Sequence, residues 1–386
     1  TFLDIQTIDG RSGDDSFAVA SAAGLSGSLL GGAGNDSLTG SGDNETFTIG
    51  VGTPNAGTLE NSGVASPDVT FSNVENLNGG AGNDTFNVNS VLSGNLDGGT
   101  GTNTLNLIGA GVVNGTISNV NVTIAASAVQ DGFADNFTVR LNGGVLEVVV
   151  DQTAAGMGVS TTQYFTPGLN TTITLNIAGS TDVDTLTVDY DFGGTADVNV
   201  NFTAGAGVDR LRMLGDGTTS GSVDLNINGA DGVIVADGNT ITFTGLTAAA
   251  NEPIEIEAFN QLTYTTPGNE DAITLNSLPV SPISAQAALV VSGTSQNPAN
   301  AAVALPTVNI IDVQNLTLDL ATGDAAGDNA DNVTINNGAL RATAITGITV
   351  QTGLGADVFN INETDFRNSV NGDILSLDGG AATDTL

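Results

Sequence analysis

Gly31-Gly32-Ala33-Gly34-Asn35-Asp36-Ser37-Leu38-Thr39 returns almost unchanged as Gly79-Gly80-Ala81-Gly82-Asn83-Asp84-Thr85-Phe86-Asn87. Both fit a nine-residue pattern, G-G-x-G-x-D-x-U-x with U large and apolar, and self-similarity of this kind marks stacked repeat architectures. The glycines allow the positive φ of a tight turn. Behind the acid, polar and apolar residues alternate, which is the period of a half-buried strand. The repeating unit is therefore a turn that feeds a short strand.

Weaker copies surround the two. Gly10–Ala18 keeps the first and fourth glycines, Asp15 and Phe17; Gly40–Thr48 follows the first match directly, with Glu45 in the acid's place. Gly98–Asn106 carries Asn103 there, and Thr352–Asn360 keeps Asp357 and lacks only the first glycine. Reduced to acid or amide, any residue, apolar, polar, apolar, the pattern starts at Asp15, Asp36, Glu45, Asp84, Asn103 and Asp135. It starts again at Asp184, Asp209, Asp271, Asp331, Asp357 and Asp384. The closer steps suggest one unit every 20 to 30 residues or so. The long steps 209–271 and 271–331 read as two units each, with a copy too degenerate to recognise.

A second element, seen at Phe71–Leu77, Ile256–Leu262 and Ile311–Leu316, supplies a strand on another face of the coil. Units of two or three short strands cannot bury an apolar side alone, so neighbours must stack. The expected fold is all-β, a right-handed parallel β-solenoid (β-helix or β-roll) with β-hairpin or β-sandwich-like insertions. About 15 coils at 4.7–4.9 Å would make a rod on the order of 70 Å long. Residues 1–125 read as the most regular coils, and 126–277 as degenerate repeats with a hairpin near 137–150. Residues 278–306 read as a Pro- and Ala-rich insertion or linker, and 307–386 as degenerate coils. The chain opens without Met or leader and stops inside a motif, so it reads as an excerpt of a longer polypeptide.

Composition narrows the chemistry. Against 42 Asp+Glu stand six cations, all arginine, for a formal charge of −36, and there is no His, Cys or Trp. Nucleic acid needs clustered cations, and so does an anionic lipid surface; neither is expected as a partner. Ser-His-Asp chemistry and ordinary zinc sites lack their residues. No apolar run is long enough to insert in a membrane. Charged residues make up only 12% of the chain and apolar ones 40%, so the acid excess does not imply disorder. What remains is oxygen chemistry, which suits hard cations such as Ca²⁺.

At the nonapeptides the chain resembles the RTX, or hemolysin-type, calcium-binding repeats, and its remaining Thr/Asn/Gly-rich coils look like those of large bacterial surface and adhesin-like proteins. The resemblance implies Ca²⁺ held between successive turns by glycine-rich carbonyls and the Asp carboxylate, with the U side chain in the core. Carried onto this chain, it implies metal ligands at Asp36 and Asp84 and, through the looser copies, at Asp15, Glu45 and Asp357. Leu38, Phe86, Phe17, Phe47 and Phe359 become core residues. Two departures matter: only Gly31–Thr48 is tandem, and Asn103 has no charge. For Asp135, Asp184, Asp209, Asp271 and Asp331 the simpler reading is an Asx turn bonding its own backbone.

The function expected from these features is a structural repeat segment of a secreted filament, stalk or adhesin at the cell surface. It would be stabilised by Ca²⁺ and would self-associate into a fibre or surface layer, with glycans or cell surfaces as further contacts. Catalysis is not expected. The alternative is a carbohydrate-active β-helix enzyme or a glycan- or ice-binding surface. Against an enzyme, a chain this acidic repels polyuronates, and Tyr164, Tyr190 and Tyr264 are scattered where sugar hydrolases would offer aromatic platforms. Thr-x-Thr pairs such as Thr185/Thr187 and Thr240/Thr242 would suit an ice face, yet Thr is simply a good strand residue.

Overall fold

The computed structural model describes residues 7–20, 27–50, 52–61, 69–108, 111–125, 134–142, 145–154, 157–167, 173–190, 198–226, 228–246, 254–296, 301–322, 330–341, 345–363, 367–368, 372–373 and 375–386. The protein is all-β, 56% strand, and the described residues hold one short 3-10 turn, Ala339–Arg341, and no α-helix. Alternation in the sequence becomes alternation in burial. Glu45–Ile49 and Asp184–Asp189 each bury every second residue.

Most strands form two long sheets, which the chain visits in turn; Val91–Leu92 pairs in parallel with Val112–Val113, and Arg367–Asn368 antiparallel with Gly372–Asp373, outside them. Thr7–Asp9 lies in the first and Ser16–Ala18 in the second; Ser28–Leu30 then pairs in parallel with the former and Ser37–Thr39 with the latter, both in register. Pairings in the second sheet run from Ser16–Ala18 to Val358–Ile361 and nowhere return among the described residues, so that sheet is an open ladder. Long parallel sheets of this kind are compatible with the coil expected from the sequence.

Among the described residues, four antiparallel three-stranded meanders interrupt the parallel stacking. The first sheet receives Glu45–Ile49, Gly57–Asn61 and Val69–Ser72, and later Ser220–Leu225, Gly232–Ala236 and Asn239–Thr244. The second receives Asp135–Asn142, Val145–Ala154 and Met157–Pro167, and later Glu270–Leu278, Ala288–Gln296 and Val308–Ile311. In each, the last strand lies on the preceding rung and the first carries the next: Val69–Ser72 pairs with Ser28–Leu30, and Glu45–Ile49 with Thr85–Val88. Each meander adds two strands to one side, and the insertions alternate between sheets. Both sheets therefore lengthen equally, where one-sided growth at 4.7–4.9 Å per strand would tilt the stack.

The stretch 137–150 lies in the antiparallel pair Asp135–Asn142 and Val145–Ala154. Within 278–306, Ala288–Gln296 is paired on both sides and so is built into the second sheet. The 60-residue step from Asp271 to Asp331 is a single rung and not two, because Ala272–Leu275 pairs directly with Asn332–Ile335. The surplus residues are the fourth meander.

Register turns alternation into columns. Phe47, Phe86, Leu105, Val122, Leu175 and Val200 succeed one another inward, and the Phe47 and Phe86 rings stack with centroids 4.8 Å apart, about one strand spacing. Inward residues of both sheets join one continuous apolar core. Outward, the first sheet carries two ranks. One runs Thr46, Thr85, Thr104, Asn121, Thr174, Asn199; the other runs Thr48, Asn87, Asn106, Thr123, Asn176, Asn201, Thr242.

Candidate metal centre: ladders of buried carboxyls

Gly80 and Gly82, at φ 91° and 110°, turn the chain so that Asp84 stands at the foot of Thr85–Val88. Asp84 is only 1% exposed. Its Oδ1 accepts the Glu45 N–H of the rung before at 2.9 Å, and its own N–H goes to Asn103 Oδ1 of the rung after at 2.8 Å. The same link recurs wherever the acid pattern does. Asp15 donates to Asp36 at 2.8 Å, Asp36 to Glu75 Oε2 at 2.8 Å and Asp184 to Asp209 at 2.9 Å. Asp271 donates to Asp331 at 2.8 Å, Asp331 to Asp357 at 2.9 Å and Asp357 to Asp384 at 3.2 Å.

Among the described residues four ladders result: Asp15–Asp36–Glu75, Glu45–Asp84–Asn103, Asp135–Asp184–Asp209 and Asp271–Asp331–Asp357–Asp384. A buried backbone N–H at the head of a strand needs an acceptor, and the neighbouring rung's acid or amide provides it. An Asx turn alone does not describe Asp209 and Asp331, whose carboxylates reach another rung's backbone. Asp184 does both, accepting Asp135 N–H from the adjacent rung and Ser180 N–H from its own turn.

The first glycine of the nonapeptide follows from the ladder. A methyl group on Gly10 would lie 2.5 Å from the Gly31 carbonyl oxygen and 2.6 Å from Asp15 Oδ2, well inside contact distance. Gly31, Gly79, Gly179 and Gly379 stand in the same relation to Asp36, Asp84, Asp184 and Asp384, five residues ahead of each. Where threonine replaces that glycine, its hydroxyl becomes a donor: Thr266 Oγ1 to Asp271 Oδ2 at 2.5 Å and Thr352 Oγ1 to Asp357 Oδ2 at 2.6 Å. Sequence reading missed Thr266, Thr352 and Glu75. The interval of five residues to the acid was the available signal for the threonines; Glu75 follows no glycine turn and had none.

The residues named as metal ligands separate into three places. Asp15 and Asp36 share one ladder, Glu45 and Asp84 a second, and Asp357 belongs to a third. The tandem copies Gly31–Thr39 and Gly40–Thr48 turn opposite corners, since Asp36 leads into the second sheet and Glu45 into the first. Asp36 and Glu45 therefore do not adjoin through the ladder bonds. At Asp15, Asp36, Glu45 and Asp84 one carboxylate oxygen is buried without a protein partner.

Glu45 and Asp84 lie within hydrogen-bonding reach of each other, with the Ser41 N–H and hydroxyl on the Glu45 Oε1 side. Burial, reinforced by Asp84, pushes Glu45 up to about 7, and burial also raises Asp84. Asp184 and Asp271 are raised by burial as well. These buried anionic and hydroxyl oxygens fit a hard cation, which would take the place of the missing donors. Glu45, Asp84 and Ser41 would hold Ca²⁺ best, and Asp15 with Asp36 second. Asp357 fits less well, for Asp331 N–H and Thr352 Oγ1 already occupy its two oxygens. Among the described residues no cluster of three or more acids is arranged to hold a metal by itself, and no helix is long and apolar enough to cross a membrane.

No protein-family model matches this chain, and no curated protein matches it.

Proposed function

We propose that the chain is a right-handed parallel β-solenoid and a structural repeat segment of a secreted extracellular filament, stalk or adhesin. Ca²⁺ at the most regular Gly/Asp turns stiffens it, and copies associate into a fibre or surface layer. The observation that supports this is the rung-by-rung register, in which one acid or amide serves the backbone of its neighbour along four ladders. Such a design supplies length and stiffness and sets no reactive group apart. The first sheet, 17 strands deep among the described residues, would span about 75 Å at 4.7–4.9 Å per step. Its outermost strands, Thr7–Asp9 and Leu375–Asp378, each pair on one side only among the described residues, and an unpaired edge is a template for another strand. The reading assigns no catalysis.

Small-angle scattering and negative-stain images with Ca²⁺ and with EGTA test it. A rod of that length, lengthened or assembled by Ca²⁺, is the expected result. A globular particle unaffected by the cation would overturn it.

A further inference from the structure

The outer face of the first sheet differs from the rest of this acidic molecule. Across seven strands from Glu45–Ile49 to Asn239–Thr244, no outward side chain among the described residues is charged. The outer face of the second sheet has no such gap: Arg140, Arg210, Arg212, Glu255 and Glu257 lie on its strands. In a chain at −36, an uncharged strip that long is a place where a ligand meets no ionic cost. The strip is also ordered, since Asn106 Nδ2 donates to Asn87 Oδ1 at 2.9 Å and Asn201 Nδ2 to Asn176 Oδ1 at 2.8 Å. Each bond uses one of the donor amide's two hydrogens and one lone pair of the acceptor oxygen, so both amides keep capacity for a ligand.

One rank runs into a concavity. Asn201, Thr242, Val233 and Asp224 are consecutive cross-strand neighbours, and the last three line a cleft of about 450 Å³ together with Asn226, Asp231 and Pro267. That volume lies within the usual range for a ligand pocket. Its lining joins apolar surface to carboxylate, amide and hydroxyl groups, which can accept from and donate to hydroxyls.

We propose that this cleft and the Thr/Asn ranks leading into it bind a neutral polysaccharide, whose chain runs across the strands and ends against Asp224 and Asp231. Neutrality follows from the charges. An acidic glycan would meet both carboxylates, and a cationic one would find no acid along the ranks. A flexible polymer suits the ranks better than ice does, because asparagine projects further than threonine and the mixed ranks are not level. The proposal goes beyond the structural role and does not depend on Ca²⁺ or on assembly.

The test uses pull-down on cellulose and chitin and affinity electrophoresis in mannan and dextran, with alginate and polygalacturonate as acidic counterparts, all in EGTA. Retention by at least one neutral glycan and by neither acidic one is expected. Thr242→Arg, which fills the cleft, and Thr123→Arg, in the ranks, should each weaken it by about tenfold or more. Thr334→Arg, on the second sheet, should leave it unchanged, and melting curves establish that each variant is folded. Should Thr242→Arg fail to fold, Asp224→Asn replaces it, with the same loss expected. No retention by any neutral glycan, equal retention by alginate, ice activity in its place, or unimpaired binding by folded Thr242→Arg and Thr123→Arg would each overturn the proposal. None of these outcomes bears on the rod or its cation.

Discussion

Glu45 and Asp84 stand one rung apart, joined by a 2.9 Å bond from the Glu45 N–H to Asp84 Oδ1 and with their carboxyl groups in reach of each other. Both are buried, and neither has a cation beside it among the described residues. The pair must hold a proton or a metal ion, or bear two adjacent charges out of water. Burial lifts Glu45 from 4.5 to about 7. A raised acid keeps its proton in the folded state where the unfolded chain has released it. Its contribution is complete below the unfolded value and is lost as pH climbs through the folded one. In EGTA, the Tm should therefore fall as pH rises from about 5 to about 8, and Ca²⁺ should flatten or reverse that slope. Calorimetry across that range with and without the ion checks it; a level Tm in EGTA would refute the account.

Asp84→Asn separates the ladder bond from the charge. The amide oxygen still accepts the Glu45 N–H, as Asn103 does for Asp84 on the next rung. One of two adjacent acids disappears, so in EGTA at neutral pH the variant should melt higher than the parent and its pH slope should shrink. The response to Ca²⁺ should fall as well. Asp84→Ala removes the acceptor along with the charge and leaves a buried N–H bare, costing about 1–3 kcal/mol. Melting of the two variants side by side distinguishes a charge relieved from a bond lost.

Gly79→Ala tests why glycine opens the motif. The added methyl would lie 2.5 Å from the Gly98 carbonyl oxygen and closer still to Asp84 Oδ2. Both are held, one by the backbone of the next rung and the other by the ladder. The expected loss is about 3 kcal/mol or more, near the upper end for overpacking. Gly347→Ala is the control, since its nearest neighbour is the Asn315 side-chain oxygen at 3.0 Å, which can move. Denaturant unfolding should leave that variant within about 1 kcal/mol of the parent.

Much of this was legible because period and register coincide. Asp15, Asp36, Glu45, Asp84, Asn103 and the later acids were found by one short pattern, and all of them lie on the ladders. Their partners were not legible. A one-dimensional pattern does not show that Gly31–Thr39 and Gly40–Thr48 turn opposite corners, nor that Glu75, outside any nonapeptide, continues the Asp36 ladder. The meanders were hidden for a related reason. Antiparallel excursions alternate just as parallel rungs do, so the long step from Asp271 to Asp331 resembled two faint repeats. The uncharged strip on the first sheet emerges only once register sets Asn87 beside Asn106 and Thr123 beside Asn176.

Arg212 on the second sheet faces two glutamates of the adjacent strand. Its Nε lies 3.1 Å from Glu255 Oε1 and its Nη2 binds Glu257, while Glu255 is fully buried. The segment after Leu278 covers them, with the Ser281 hydroxyl on Glu255 and Gln286 Nε2 on Glu257 at 2.7 Å. Truncating one partner of a buried ion pair strands the other charge. Arg212→Met should cost about 3–5 kcal/mol at neutral pH, because two glutamates on one short strand would lose the cation that pairs with both. Restoring neutrality by a second route, Glu255→Gln with Glu257→Gln in the Arg212→Met background, should recover most of the stability in denaturant titrations. If the triple variant is no more stable than Arg212→Met alone, the arginine acts through its packing and not through its charge.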